Sequence, residues 1–285
     1  MSALAPLPVY FTPLMVADSG SFSPSAAKPA KVVAAWLAQD LPISIREPVP
    51  VSIDQLARAH DRDFVEKILA CRAPNGFGNH SPAVAASLVY TSGAMLSAAR
   101  HAIGTRGLAC APVAGFHHAT YRTAGAFCTF NGLMVTACAL HAEDRAARIG
   151  ILDCDMHYGD GTDDIIEHLD ASRWITHFTA GDGYTQRHDA ARLLTDLPAK
   201  LESMRGCDVV LYQAGADPHV NDPLGGMMTT DELRRRDELV FETCDALGLP
   251  VAWNLAGGYQ VEADGSIPAV LEIHENTLRA ALARR

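Results

Sequence analysis

The chain has 285 residues, 48% hydrophobic and 20% charged, an ordinary globular balance that excludes extended disorder, collagen-like repeats and a coiled coil and calls for a sizeable buried core. Its 23 Lys and Arg against 33 Asp and Glu give a net charge of −10, a sign that repels phosphate backbones and sets direct nucleic-acid partners aside. Seven cysteines, odd in number and without a C-x-x-C pair, argue against a disulfide scaffold or zinc ribbon and fit a reducing, cytoplasmic setting. No basic residue precedes the apolar N-terminal stretch and no run of ~18 apolar residues occurs, so neither a signal peptide nor a membrane span is expected.

Along the chain, short apolar runs alternate with longer stretches of helical periodicity, the order expected of a parallel sheet covered by helices. Strands are predicted at Val9 to Phe11, Ile43 to Arg46, Arg148 to Asp153, Trp174 to Phe178, Asp208 to Gln213 and Val251 to Leu255. The last four are nearly continuous apolar segments, as strands buried on both faces should be. Helices are predicted at Pro29 to Gln39, Ile53 to Arg58, Arg62 to Leu69, Pro82 to Ile103, Asn131 to Ala142, Asp163 to His168, Ala190 to Met204, Thr230 to Leu247 and Pro268 to Leu282. Thr229, Thr230 and Ser266 are cap candidates for the last two. No repeat or linker divides the chain, so residues 1–285 are read as one domain.

In open α/β sheets the loops beyond the carboxyl ends of the strands carry the ligand site. Four such places hold polar clusters: Gly115-Phe116-His117-His118, the stretch from Asp153 to Gly161, Ala214 to His219, and Ala256-Gly257-Gly258-Tyr259. In extended backbone, Asp153, Asp155 and His157 share one face while Cys154 and Met156 point the other way. Three candidate ligands on one face have a metal-site spacing, which Asp217 from another strand end could complete. Two carboxylates, one imidazole and an open position follow the logic of a catalytic zinc site. The alternative is that Asp153 and Asp155 cap the next helix and His157 is a hydrogen-bonded loop histidine. Gly159-x-Gly161 also imitates a dinucleotide fingerprint, but Asp164 stands at the third glycine position. Asp153 and Asp160, left over from such a metal, could each accept a hydrogen bond from one of His117 and His118 and fix its tautomer. Tyr259, on a glycine turn, could donate to a developing oxyanion.

Taken together, the segments GFHHATYRTAGAFCTFN (115–131), ILDCDMHYGDGT (151–162), AGADPHVNDPLGG (214–226), AGGY (256–259) and IPAVLEIHENTLRAAL (267–282) resemble the histone deacetylase superfamily, which includes acetylpolyamine amidohydrolases and acetoin-utilisation-type proteins. The resemblance implies an arginase-like, three-layer α/β fold whose central, mostly parallel sheet has about eight strands flanked by helices. It implies Zn2+, or Fe2+ in its place, held by Asp155, His157 and Asp217, and a His117–Asp153 and a His118–Asp160 pair. Tyr259 matches the family's catalytic tyrosine, and the reaction implied is hydrolysis of an N-acetyl or related amide of a lysine side chain or small amine to acetate and free amine. Phe127 and, as a second wall, Tyr184 would line the substrate channel, with Gly258 also on the substrate-binding surface. A K+ near Asp153 is a further expectation.

The sequence departs from that pattern in several places. Tyr158 replaces a second histidine, Ala126 replaces the glycine before Phe127, and Ser25 to Lys31 replaces the HPERPxR segment. Ile175-Thr176-His177 stands where a serine would serve K+, and the rim loop Ala73 to Ser81 has no acidic residue. Two other readings compete with a deacetylase: an arginase-type ureohydrolase with two Mn2+, of whose D-x-D-x-x-D-P motif Asp217-Pro218 supplies only the end, and a non-catalytic protein that binds acetylated amines.

Overall fold

A computed structural model describes residues 5–284. Its strands are β1 Leu7–Tyr10, β2 Ile43–Arg46, β3 Leu108–Ala111, β4 Ile149–Asp153, β5 Ile175–Thr179, β6 Val209–Gly215 and β7 Val251–Ala256. They form one sheet in the order β2-β1-β3-β7-β6-β4-β5, every pairing parallel. The helices are α1 Lys28–Ala38, α2 Ile53–Leu56, α3 Arg62–Leu69, α4 Pro82–Thr105, α5 Gly132–Ala142, α6 Asp160–His168, α7 Ala190–Glu202, α8 Thr230–Leu247 and α9 Pro268–Leu282.

Alternation along the buried strands sends side chains to two cores. Ile149 and Ile151 of β4, Val209 and Leu211 of β6 and Ala252 of β7 join the core under α2 to α6. Leu152, Val210, Tyr212, Val251 and Trp253 face the opposite core, under α1, α7, α8 and α9. Helices therefore cover both faces, and the fold is a three-layer α/β sandwich, as a parallel sheet of continuous apolar strands requires. At 24 residues α4 is long and apolar enough to cross a membrane by length and composition, but 67% of its apolar window is buried inside the protein.

The sheet has seven strands where about eight were expected. After β5 the chain turns through a short 3-10 segment, Ala180–Asp182, and passes into α7 instead of adding an edge strand. β3, which was not predicted, pairs with both β1 and β7 and leads into the His117-His118 segment. Thr229 forms a capping box with Glu232 at the start of α8, and Gly248 closes that helix in a left-handed conformation. Ser266 does not cap α9: the flanking residue is Ile267, without a side-chain cap bond, while the Ser266 N–H is held by Asp264. Because all strands run the same way, β3, β4, β6 and β7 deliver their carboxyl ends, and the polar segments behind them, to one edge of the sheet.

Candidate metal and acid–base site

Asp153 ends β4, and the chain then runs irregularly to Gly159, where α6 begins without a side-chain cap. The two aspartates therefore do not cap the helix, as the alternative reading had it; their oxygens are used elsewhere. Asp153 Oδ2 lies 2.7 Å from His117 Nδ1, and Asp153 Oδ1 accepts the Asp155 N–H at 3.1 Å and the Gln213 side-chain amide at 3.0 Å. Asp155 Oδ1 accepts the His157 N–H at 3.0 Å.

His157 Nδ1 lies 3.1 Å from Asp155 Oδ1 and 2.9 Å from Asp217 Oδ2. One ligand atom from each of the three residues falls within 4.8 Å of the others, the one such cluster of three among the described residues. Asp217 Oδ2 is buried without a hydrogen-bond partner of acceptable geometry. An orphaned buried carboxylate oxygen beside a second carboxylate and an imidazole nitrogen is a donor set that a divalent cation satisfies. The electrostatics agree. Burial, then repulsion from Asp155, pushes the Asp217 carboxyl up from its ordinary value, while the adjacent Asp155 and Asp217 carboxylates raise His157 to about 10. Asp155 stays well below the ordinary carboxylate range, because its histidine neighbours outweigh its burial.

The adjacent histidines are held differently. His118 Nδ1 lies 2.6 Å from Asp160 Oδ1, and the two imidazole centroids are 4.1 Å apart. Burial disfavours a charge on His117, but the Asp153 and Asp155 carboxylates outweigh it and raise its pKa to about 9. His118 is lowered from the ordinary histidine value by its own burial and then by the neighbouring His117. At neutral pH the pair thus divides into a cationic His117 and a neutral His118.

Tyr259 enters the same cavity, with Ser25, Gly115, Phe127, Cys128 and Gly257 among its other walls. Its N–H donates to Asp222 Oδ2 at 2.7 Å, and burial beside Asp217 and Asp155 keeps the phenol protonated far above its usual range. The turn before it needs glycine: Gly257 has φ +54°, and an added Cβ would lie 2.1 Å from Asp217 Oδ1. Gly257, not Gly258, lines the cavity. Gly258, at φ +87°, faces Val270 and Ala216, so its contribution is to the backbone path and the expected substrate surface does not include it.

Phe127 packs 5.5 Å from Tyr259 and 5.3 Å from Phe22, ring centre to ring centre. Tyr184 does not join it. Its ring is buried among Ala180, Leu193 and Met227, and its hydroxyl donates to Asp196 on α7 at 2.8 Å. Tyr158, in place of the second histidine, donates to Asp163 at 2.6 Å, which also holds His177 Nδ1 at 2.7 Å.

Three residues near the site were not singled out from sequence. Lys28, fully buried at the start of α1, donates to the Gly257 carbonyl, and burial lowers its pKa to about 8 against the fields of Asp217, Asp155 and Asp222. The one signal was a basic residue inside the divergent Ser25 to Lys31 segment. Asp222, five positions after Asp217, positions the Tyr259 backbone. Gln213 links Asp153 to the Phe116 N–H, which its Oε1 accepts at 3.1 Å.

Comparisons with known proteins converge on one family. The chain is 35% identical over 175 residues to an uncharacterized protein of Picosynechococcus, a match covering 54% of this chain and 56% of that one. It is 27% identical over 187 residues to histone deacetylase 2 of Arabidopsis thaliana, covering 59% of this chain and 48% of the relative. The chain spans about half the length of the curated relatives it matches. Its fold superposes on the crystal structure of acetylpolyamine aminohydrolase from Burkholderia pseudomallei with a TM-score of 0.76, covering 98% of this chain and 99% of that one at 21% identity. Residues 24–184 match the histone deacetylase domain, and with more than half its length inside that match the chain belongs to the histone deacetylase family.

Proposed function

We propose that the protein is a metal-dependent deacetylase that hydrolyses an N-acyl amide, typically N-acetyl, of a lysine side chain or small amine to the carboxylate and the free amine. The observation that carries this reading is the geometry of the Asp155–His157–Asp217 cluster beside two His–Asp pairs, with Asp155, His117, His118 and Tyr259 lining one cavity. Relatives named histone deacetylase and acetylpolyamine amidohydrolase support the same class.

Asp155, His157 and Asp217 would hold Zn2+, or Fe2+ in its place. When bound, the cation supplies Lewis-acid polarisation of the amide carbonyl and makes water acidic enough to attack at neutral pH. Neutral His118, oriented by Asp160, takes the proton of the attacking water at Nε2. His117, fixed by Asp153, stabilises the charge that builds up, and the proton held on His118 passes to the departing nitrogen, which returns the histidine pair to its starting state. The Tyr259 phenol, kept protonated by its surroundings, donates to the carbonyl oxygen as it becomes an oxyanion. Phe127 packs along the aliphatic stem of the amine and keeps water from it.

The ureohydrolase reading needs carboxylates for a second metal, yet Asp153 is committed to His117 and Gln213. As for K+ near Asp153, the Ile175 side chain has no donor atom and is buried in the core, so Thr176 and main-chain carbonyls would have to hold it. The test is hydrolysis of an acetyl-lysine peptide and of acetylated polyamines by Zn2+-loaded protein, with Asp217→Ala beside it. Turnover that disappears in Asp217→Ala is expected; bound metal without turnover of any acylated amine would instead favour the binding-protein reading.

A further inference from the structure

Asp153 and Gln213 are the last paired residues of β4 and β6; the Cys154 N–H still donates to the Gln213 carbonyl at 3.0 Å, and both chains then lead to the candidate ligands. Cys154 precedes Asp155, and Gly215 stands two residues before Asp217. A Cβ on Gly215 would lie 2.6 Å from the Asp155 Cα and 2.7 Å from the Cys154 carbonyl oxygen, so the two segments are in close contact there. The Cys154 and Gly215 carbonyls are buried where the ladder no longer continues in register, and each needs a donor.

Both find the same one. Arg236 Nη1 on α8 donates to the Cys154 carbonyl at 3.1 Å and to the Gly215 carbonyl at 2.6 Å. The side chain has 0% exposure. Its Nε and Nη2 each lie 2.9 Å from Asp237 Oδ1, on the next residue. Asp237 is anchored in turn: Tyr212 of β6 donates to Oδ1, and the Thr277 hydroxyl of α9 donates to Oδ2 at 2.6 Å. A buried guanidinium is costly to place in the core unless pairing and hydrogen bonds offset it. Here Nε donates to one carboxylate oxygen on one side while Nη1 reaches two strand-end carbonyls on the other, a spread of donors that a single ammonium cannot reproduce.

We infer that Arg236 is a positioning residue for the candidate metal ligands: clamped by Asp237, it ties the ends of β4 and β6 together and sets the spacing of Asp155 and Asp217. The inference rests on the metal-site reading above. It differs from a general contribution to folding because Arg236 touches the backbone of the two segments that carry the carboxylates.

The experiment compares wild type, Arg236→Lys and Leu140→Ala, the last a truncation of a fully buried core residue near the C-terminal end of α5. It measures the Zn2+ dissociation constant by chelator competition, the visible spectrum of Co2+-loaded protein, and the melting temperature of metal-free protein. Arg236→Lys is expected to weaken Zn2+ binding by about tenfold or more, the usual consequence of losing a group that orients ligands, and to shift the Co2+ bands. Leu140→Ala is expected to lower the melting temperature with Zn2+ affinity unchanged. Zn2+ affinity in Arg236→Lys within about twofold of wild type, with an unaltered Co2+ spectrum, overturns the inference. If Arg236→Lys does not fold, Thr277→Val removes one anchor of Asp237, and a severalfold loss of Zn2+ affinity supports the inference where an unchanged affinity overturns it. Wild type that binds neither Zn2+ nor Co2+ overturns the metal-site reading itself and this inference with it, a result separable from a variant-specific effect.

Discussion

His118 and Asp160 meet at 2.6 Å, Nδ1 to Oδ1, with the carboxylate on the first residue of α6. The aspartate thus fixes the imidazole while resting at a helix N-terminus, which favours its negative charge. It also raises the His118 pKa, against the larger lowering by burial and by His117.

The sign of a pH effect follows. A base that must be neutral is competent above its pKa, so turnover by the wild type should fall as pH drops below the ordinary histidine range. Asp160→Asn removes an interaction that favours the imidazolium, so the acid limb of kcat should move to still lower pH. The same variant loses orientation at Nδ1, and kcat at pH 7 should fall by about tenfold or more. A limb that moves to higher pH would show that another group sets it.

Ala126 and Phe127 occupy successive left-handed conformations, at φ +45° and +65°. For a residue with a Cβ this costs roughly 1 kcal/mol, which explains what a glycine would gain before Phe127. Ala126→Gly should therefore raise the melting temperature by about 2 °C, the relief of strain exceeding the added freedom of the unfolded chain. A fall in melting temperature would mean that the Ala126 methyl group is held by favourable packing.

The parts of the fold legible in the sequence were those written in side-chain periodicity. β4, β6 and β7 are continuous apolar runs, but the extended face expected to hold Asp153, Asp155 and His157 stops at Asp153, and a bent segment brings Asp155 and His157 to Asp217. β3 reads Leu-Ala-Cys-Ala, with no β-branched or aromatic residue, and declares itself only through its partners β1 and β7. Lys28, Asp222 and Arg236 were hidden for another reason. Charged residues are ordinarily solvated, and these are identified by burial against segments remote in the chain, Lys28 by its bond to a carbonyl 229 residues away. Tyr184 shows the converse: proximity in sequence to the β5 end did not fix the direction of its ring, which α7 captured.

The Lys28 bond to Gly257 also makes a measurable claim. Lys28→Met leaves a buried carbonyl without its donor, at a cost of about 1–3 kcal/mol, and frees the turn that aims Tyr259. The expected result is a lower melting temperature and a kcat reduced by about tenfold or more, with metal content unchanged. Lys28→Arg, which keeps a cationic donor, should recover part of both. Equal loss in the two variants would point to packing of the four-carbon stem instead of the hydrogen bond.

His60 gives the protein an acid-labile core. Its ring is fully buried, with Nδ1 donating to the Thr120 carbonyl at 2.9 Å and Nε2 accepting the Asn131 N–H at 2.9 Å. Both nitrogens are satisfied only in the neutral tautomer, and burial lowers the pKa from 6.5 to about 4. The unfolded chain therefore binds a proton in that interval that the folded protein refuses, so stability is full above pH 6.5 and is lost as pH falls toward 4. Over the whole window the loss is about 3 kcal/mol from this residue. His274, fully buried and also held well below the ordinary histidine value, adds to it in the same direction. Urea unfolding at pH 7 and at pH 4.5 should show the decline, and His60→Gln should be less stable at pH 7 yet lose less on acidification. An unchanged pH dependence in that variant would exclude His60 as the titrating group.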